Sequence, residues 1–292
     1  MIRNSKRTIS DYVLLIILIA VMLLCLMPIW NTLMISLSDK SAVAGGGIFF
    51  IPTGFNLIAY STILKDGSFF RAAIVSIERV LLGGGITFVL TILMAYALSH
   101  DSREFRYRNV YMWTLVFTML FSGGLIPFYL TIKNLKMLDS IWALVLPGAV
   151  PVFSVILLLN FFRNIPKELK EAAYVDGAGP WYIMVRIFVP ISLPALATVT
   201  LFSIVTHWNS FLDGLLFMNN PDKYPLQTYI QQLVVQIQSD NMNSEQMKQL
   251  AKLSNKTLNA AKIFLTMIPI LLVYPFLQRF FIHGITLGSV KE

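Results

Sequence analysis

Residues 167–190 read KELKEAAYVDGAGPWYIMVRIFVP, a polar passage set between two strongly apolar stretches. Helix-forming residues run from Pro166 to Asp176, and Ala172 and Ala173 keep one side of that helix slim. Gly177 and Gly179 permit a sharp turn, and Pro180 suits the first position of a new helix. The predicted element is a pair of short helices meeting at an angle. Such an elbow is either an ordinary turn between spans or a handle that another protein grips. Its spacing alone supports both readings, so the decision falls to the rest of the chain.

The chain has 292 residues, of which 56% are hydrophobic and only 13% charged, with a mean hydropathy of +0.69. Soluble domains carry about 25% charged residues. Charges this sparse do not coat a globule of this size, so most of the surface must face lipid. The composition predicts an all-α polytopic membrane protein. The net charge of +8 comes with no basic stripe interleaved with aromatics, which argues against nucleic acid. On a membrane protein, excess Lys and Arg mark the cytoplasmic loops. One cysteine, Cys25, builds no disulfide framework, and His100, His207 and His283 are scattered. No P-loop or GxGxxG pattern occurs. The expectation is a chain that is not an enzyme and brings no metal, nucleotide or cofactor site of its own.

Six stretches are long enough for the roughly 20 helical residues that cross about 30 Å of hydrocarbon. They are residues 12–36, 70–99, 110–132, 141–162, 185–205 and 258–281. The third is interrupted by Gly123, Gly124 and Pro127, and the fourth by Pro147 and Pro151. Broken spans of this kind are tolerated inside a bundle, where neighbours satisfy the freed backbone. Arg3, Lys6 and Arg7 before the first stretch, with Ala42-Val43-Ala44 after it, also fit a cleaved leader. The apolar run exceeds a leader's core of about 7–15 residues, which favours a retained span.

Loop charges set the orientation. Arg3, Lys6 and Arg7, then Arg103, Arg106 and Arg108, then Arg163, Lys167, Lys170 and Arg186 alternate with loops poor in cations. The positive-inside rule places both termini and the elbow in the cytoplasm. The single membrane domain of residues 1–292 then carries a cytoplasmic loop at 163–190 and an external loop at 209–257. In the latter, Leu226, Tyr229, Ile230, Leu233, Val234 and Ile237 recur at helical spacing. A second short helix is expected from Ser244 through Met247, Leu250 and Leu253. These helices fit either a rest on the bilayer or a docking surface.

Candidate pathway residues follow from the needs of a polyhydroxylated solute, which takes aromatics against its ring faces and amides or hydroxyls at its edges. His207-Trp208-Asn209-Ser210-Phe211-Leu212-Asp213 supplies Trp208 for stacking and Asn209 and Ser210 for hydrogen bonding. The alternative for Trp208 is an interfacial aromatic belt. Ser122, beside Gly123 and Gly124, is a second candidate, with helix packing as its alternative. Glu78 and Arg79 are intramembrane charges, which default to functional hypotheses. Neighbours point about 100° apart on a helix, so a seam with a partner subunit is expected to hold them.

Glu171-Ala172-Ala173, three residues, Gly177, nine residues, then Ile187, Val189 and Pro190 resemble the EAA loop of permease subunits in bacterial ATP-binding-cassette importers. One departure, Val189 for leucine, keeps the apolar contact. The resemblance decides for the handle and implies that Glu171, Ala172, Ala173, Asp176, Gly177, Ile187 and Pro190 couple the chain to an ATPase. FIPTGFNLIAYSTIL (residues 50–64), AYALSHDSREFRYR (95–108), FFRNIPKELKEAAYVDGA (161–178) and the tail HGITLGSVKE (283–292) look like the carbohydrate-uptake group of that family. The tail is similar to the maltodextrin type, which implies a second ATPase contact through Gly284, Thr286, Gly288 and Lys291. MLFSGGLIPFYL (119–130) looks like the branch associated with complex oligosaccharides and uronides.

The resemblance implies a type I importer in the bacterial cell membrane: a heterodimer with a second permease, two ATPase subunits using ATP and Mg, and an external sugar-binding lipoprotein. It also implies an oligosaccharide substrate, although a non-sugar solute stays open. An ion-coupled secondary transporter is the rival class, expected to show mid-membrane carboxylates or an inverted repeat. A membrane scaffold leaves the EAA spacing unexplained.

Overall fold

The computed structural model describes residues 9–39, 42–43, 50–239 and 245–288, and among these every regular element is helical. The helices are α1 Ile9–Ser36, α2 Ile58–Lys65, α3 Gly67–Ser99, α4 Arg108–Leu120, α5 Leu125–Asn134, α6 Ile141–Val145 and α7 Val152–Arg163. They continue with α8 Lys167–Val175, α9 Pro180–Ile191, α10 Leu193–Asn209, α11 Leu212–Phe217, α12 Leu226–Ser239 and α13 Glu245–Gly288. The chain forms two units, Met1–Gly67 with Gln232–Ile268 and Ser68–Gln231 with Pro269–Glu292.

In the first unit α1 is apolar on every side, and its most apolar window is wholly unburied. A helix hydrophobic all round belongs in lipid or a large core. The chain after it folds back on its end. Asp39 N–H donates to the Thr53 carbonyl at 2.9 Å and Asn56 N–H to that of Leu37 at 3.1 Å. Trp30 Nε1 donates to the Phe50 carbonyl at 2.9 Å. Gly54 makes this return possible: its φ is +66°, and a β-carbon there would lie 2.9 Å from Asp39 Cβ. Lys262, 4% exposed, is held by Asp66 Oδ2 at 2.6 Å.

The core of the second unit joins α3, α7, α8, α9 and α10 through Tyr96, Leu98, Leu158, Phe162, Ala173, Ile183, Phe188 and Leu196. Tyr96, Phe162 and Phe188 meet edge to face, with ring centres 5.1–6.5 Å apart. A smaller cluster of Ile132, Ala143, Leu144, Phe217 and Met218 lies toward the other end of α3. Asp139 stitches that end together. Its carboxylate accepts from Asn219 N at 2.6 Å, Asn219 Nδ2 at 3.0 Å and Asn220 N at 3.0 Å. Its own N–H donates to Phe217 at 2.9 Å.

Among the described residues three helices are continuous and apolar enough to cross a membrane, and two bent helix pairs meet the same length and composition only when taken together. α4 and α5 meet at 114° around Gly124, whose φ is +85°. The stretch expected to cross at 185–205 is instead broken at Ser192, where α9 and α10 meet at 84°. Pro190 and Pro194 flank that break. Each removes a donor and crowds the carbonyl a turn back, and α9 widens into a π turn at Met184–Phe188. The stretch 141–162 divides into α6 and the 12-residue α7. The short helix expected from Ser244 is not separate: one 44-residue helix runs from Glu245 to Gly288. This helix carries Gly284, Thr286 and Gly288 of the tail.

Candidate functional site

The elbow is built by its glycine. At the end of α8 the Ala178 N–H donates to the Ala173 carbonyl at 2.9 Å and the Gly177 N–H to that of Tyr174 at 3.0 Å. This pair of bonds is the Schellman motif, which needs a left-handed residue between helix and exit. Gly177 supplies it with φ +76°. Pro180 then opens α9 with Gly179 as its cap. Ala173 is buried against the core, whereas Glu171, Ala172, Asp176 and Pro190 are exposed and Ile187 is half-buried. Val175 is 88% exposed, Trp181 69% and Tyr182 59%, so the polar elbow presents an apolar patch.

Charged side chains tie the elbow to the end of α3. Lys167 donates to Asp101 Oδ2 at 2.8 Å and Lys170 pairs with Glu104. Asp101 is held below the usual carboxylate range, first by the hydrogen bond from Lys167, and the same bond raises the Lys167 ammonium. Arg108 Nε at 2.9 Å and Arg163 Nη2 at 3.5 Å both donate to the Leu98 carbonyl. That carbonyl lies in the last turn of α3, where acceptors lack intrahelical partners and cations are favoured.

Beside the middle of α3 lies a cavity of about 290 Å³, walled by Arg79, Thr87, Ser203, His207, Ser210 and Asp213 with Phe128, Phe202 and Phe217. Arg79 is 2% exposed and pairs with Asp213 through both guanidinium ends. It also donates to the Ser210 carbonyl at 3.2 Å. Asp213 Oδ1 is held from its own loop by Ser210 Oγ at 2.8 Å and Gly214 N at 2.9 Å. Gly83 lets His207 sit against the α3 backbone.

Of the residues expected in the pathway, the structure brings only Ser210 to this wall. Trp208 is 6% exposed, buried within the chain and outside the lining of this cavity. Asn209 is exposed at the end of α10. Ser122 Oγ accepts from Gly124 N at 3.3 Å and shapes the α4–α5 bend. Arg79 is likewise not at a subunit seam, since its partner lies within the chain, while Glu78 is exposed. Gly284, Thr286 and Gly288 belong to α13, and Lys291 lies outside the described residues. Sequence reasoning missed Thr87, Ser203 and the pairing of Arg79 with Asp213. Two opposite charges in apolar surroundings were the available signal.

Bent apolar helices thus enclose a cavity with a buried ion pair in its wall, and a capped, exposed elbow lies at the far end. The chain belongs to the family of binding-protein-dependent transport system inner membrane components, whose model matches residues 3–287. It is a membrane-embedded permease component of an ATP-binding-cassette importer with the type I fold, a class in which ATP hydrolysis resides in a separate subunit. It is 38% identical over 286 residues to the polygalacturonan/rhamnogalacturonan transport system permease protein YtcP of Bacillus subtilis, covering 98% of this chain and 99% of that one. Protein LplC of the same organism is 38% identical over 256 residues, 88% of this chain and 86% of that one. Among solved structures, a chain of a bacterial transporter that imports the acidic polysaccharide alginate matches with a TM-score of 0.82 and 29% identity. That match covers 95% of this chain and all of the other.

Proposed function

We infer that this chain is one permease of a heterodimeric importer for oligosaccharides, with uronate-containing chains the first class to assay. The polygalacturonan/rhamnogalacturonan permease and the alginate importer support that substrate class. The observation that carries the coupling role is the elbow: a Schellman-capped turn exposes Glu171, Ala172 and Asp176 beside the apolar Val175 and Trp181. An amphipathic protrusion of this kind suits a groove on an ATPase subunit, with Glu171 meeting a cation there. Two such subunits, using ATP and Mg, drive alternating access, and a second permease completes the pathway. An external sugar-binding lipoprotein delivers the solute by favouring the outward-open state, since a ligand shifts an equilibrium only through differential affinity. The elbow and both termini lie in the cytoplasm, and the 209–257 loop outside. The tail from Gly284 adds a second ATPase contact.

The test is uptake of labelled short oligogalacturonates by cells carrying the complete importer, with and without the ATPase gene. Uptake that depends on the ATPase is expected. Uptake that survives its deletion overturns the reading in favour of an ion-coupled transporter.

A further inference from the structure

One carboxylate oxygen beside the elbow faces two nitrogens. Lys170 Nζ of α8 pairs with Glu104 Oε2, and His100 Nε2 lies 3.8 Å from the same atom. The lysine and the imidazole each keep only 15% side-chain exposure, against 48% for Glu104. His100 is fixed from its other side. Its Nδ1 lies 2.8 Å from the Tyr96 carbonyl, and its ring stands edge-on to that of Tyr96 with centres 4.8 Å apart. A carbonyl oxygen only accepts, so Nδ1 carries the hydrogen. In the neutral ring Nε2 is then a bare lone pair, which offers the carboxylate nothing. A second proton makes it a charged donor to the oxygen that Lys170 already holds.

The other charged groups around this cavity are engaged or face water. Lys167 of α8 donates to Asp101, and Arg108 of α4 and Arg163 of α7 both donate to the Leu98 carbonyl. Glu171 and Tyr174 of α8 complete the ionisable lining, and both are exposed. Tyr174 also offers Lys170 a second seat on its own helix. Its ring centre lies 5.8 Å from Lys170 Nζ, within the roughly 6 Å reach of a cation over an aromatic face.

We propose that His100 and Glu104 form a proton-sensitive latch on the elbow. Histidine changes charge between about pH 5 and 8. Above that range Glu104 is held by Lys170 alone, and the pair ties α8 to the end of α3. Below it the imidazolium donates to the same oxygen and repels the ammonium, so Lys170 turns to Tyr174 and the tie is lost. Acid on this face of the membrane therefore loosens the elbow. That this loosening slows ATP-driven import rests on the reading of the elbow as the ATPase handle.

Amide hydrogen exchange of the peptide 167–178 in the purified complete importer tests the latch without any solute. Comparison with His100→Gln at each pH cancels the intrinsic pH dependence of exchange. Near about pH 6 the wild-type elbow should exchange roughly two- to fivefold faster than that of His100→Gln, the scale of one partly exposed ion pair. Near about pH 8, where the ring is neutral, the two should match. In a Lys170→Met background, His100→Gln should change the exchange at neither pH. Equal exchange by wild type and His100→Gln at both pH values overturns the latch, as does an acid difference that persists without Lys170. ATP hydrolysis by the same samples separates the two readings. Exchange that follows the expected pattern, with hydrolysis identical in wild type and His100→Gln at both pH values, supports the latch and overturns the handle.

Discussion

Gly83 lies against the imidazole of His207, so near that a β-carbon built on it would stand 2.6 Å from the ring. The contact presses α3 and α10 together beside the cavity. Gly83→Ala must therefore displace a buried ring, and overpacking of this kind costs about 1–3 kcal/mol. Gly84 and Gly85 provide controls on the same helix. A β-carbon at Gly84 meets only Ser203 Oγ at 3.9 Å, and at Gly85 nothing within 4 Å. Thermal unfolding of the purified complex should drop for Gly83→Ala and hold for Gly85→Ala.

The Arg79–Asp213 pair predicts a different signature. Removing one member of a buried pair costs about 3–5 kcal/mol, whereas replacing both with apolar groups is often neutral. Arg79 keeps 3% side-chain exposure and Asp213 22%, so Asp213→Leu, which strands the more deeply buried charge, should fall toward the upper end and Arg79→Met toward the lower. The double variant should recover most of the stability lost by either one. Unfolding in detergent checks this, and additive losses would contradict the pairing.

Gly177 separates conformation from contact. Nothing lies within 4 Å of a β-carbon there, so Gly177→Ala meets no clash and carries only the left-handed penalty of roughly 1–2 kcal/mol. Membrane insertion should be normal, and stimulation of the ATPase by the loaded binding protein should fall. Gly177→Asn, which tolerates the same conformation, should retain more of that stimulation than the alanine variant.

Asp139 yields a pH prediction. Its carboxyl is held below the usual range, first by the Asn219 side chain, then by the backbone of Asn220 and Asn219. A depressed folded-state value means the stabilisation is complete above the ordinary aspartate range, near about 3.9. It is lost as pH falls through the folded value. The stability difference between wild type and Asp139→Asn should be flat from about pH 6 to 8 and close only in acid, on the side below that ordinary range. A difference that closes between pH 6 and 8 would contradict the hydrogen-bond set.

The elbow was legible because everything that makes it lies within 24 consecutive residues. Helix formers, a left-handed glycine and a proline cap state their own geometry. The helical character of the chain was legible for a similar reason, since apolar length is a local property. What escaped reading depends on distance. Arg79 and Asp213 stand 134 positions apart, and no periodicity links them. Trp208 read as a stacking or an interfacial residue by type, but its burial is decided by neighbours that the surrounding sequence does not reveal. The break at Ser192 was hidden because prolines mark where a helix can bend and leave the angle to packing.

α3 joins the two ends of its unit without interruption. Between Thr87 at the cavity and Leu98, whose carbonyl Arg108 and Arg163 clasp, lie about 17 Å of helix at 1.5 Å per residue, free of glycine and proline. The three glycines of α3's apolar centre all fall at residues 83–85, on the His207 side. Mechanically the half of α3 toward Ser99 is a stiff arm, and the helix's compliance is gathered at its midpoint. Were a partner to push on Lys167, Lys170 and Arg163, the rigid portion would carry that push toward the place where α3 rests on the imidazole. The cavity, and not the elbow, is where it would change the chain's shape.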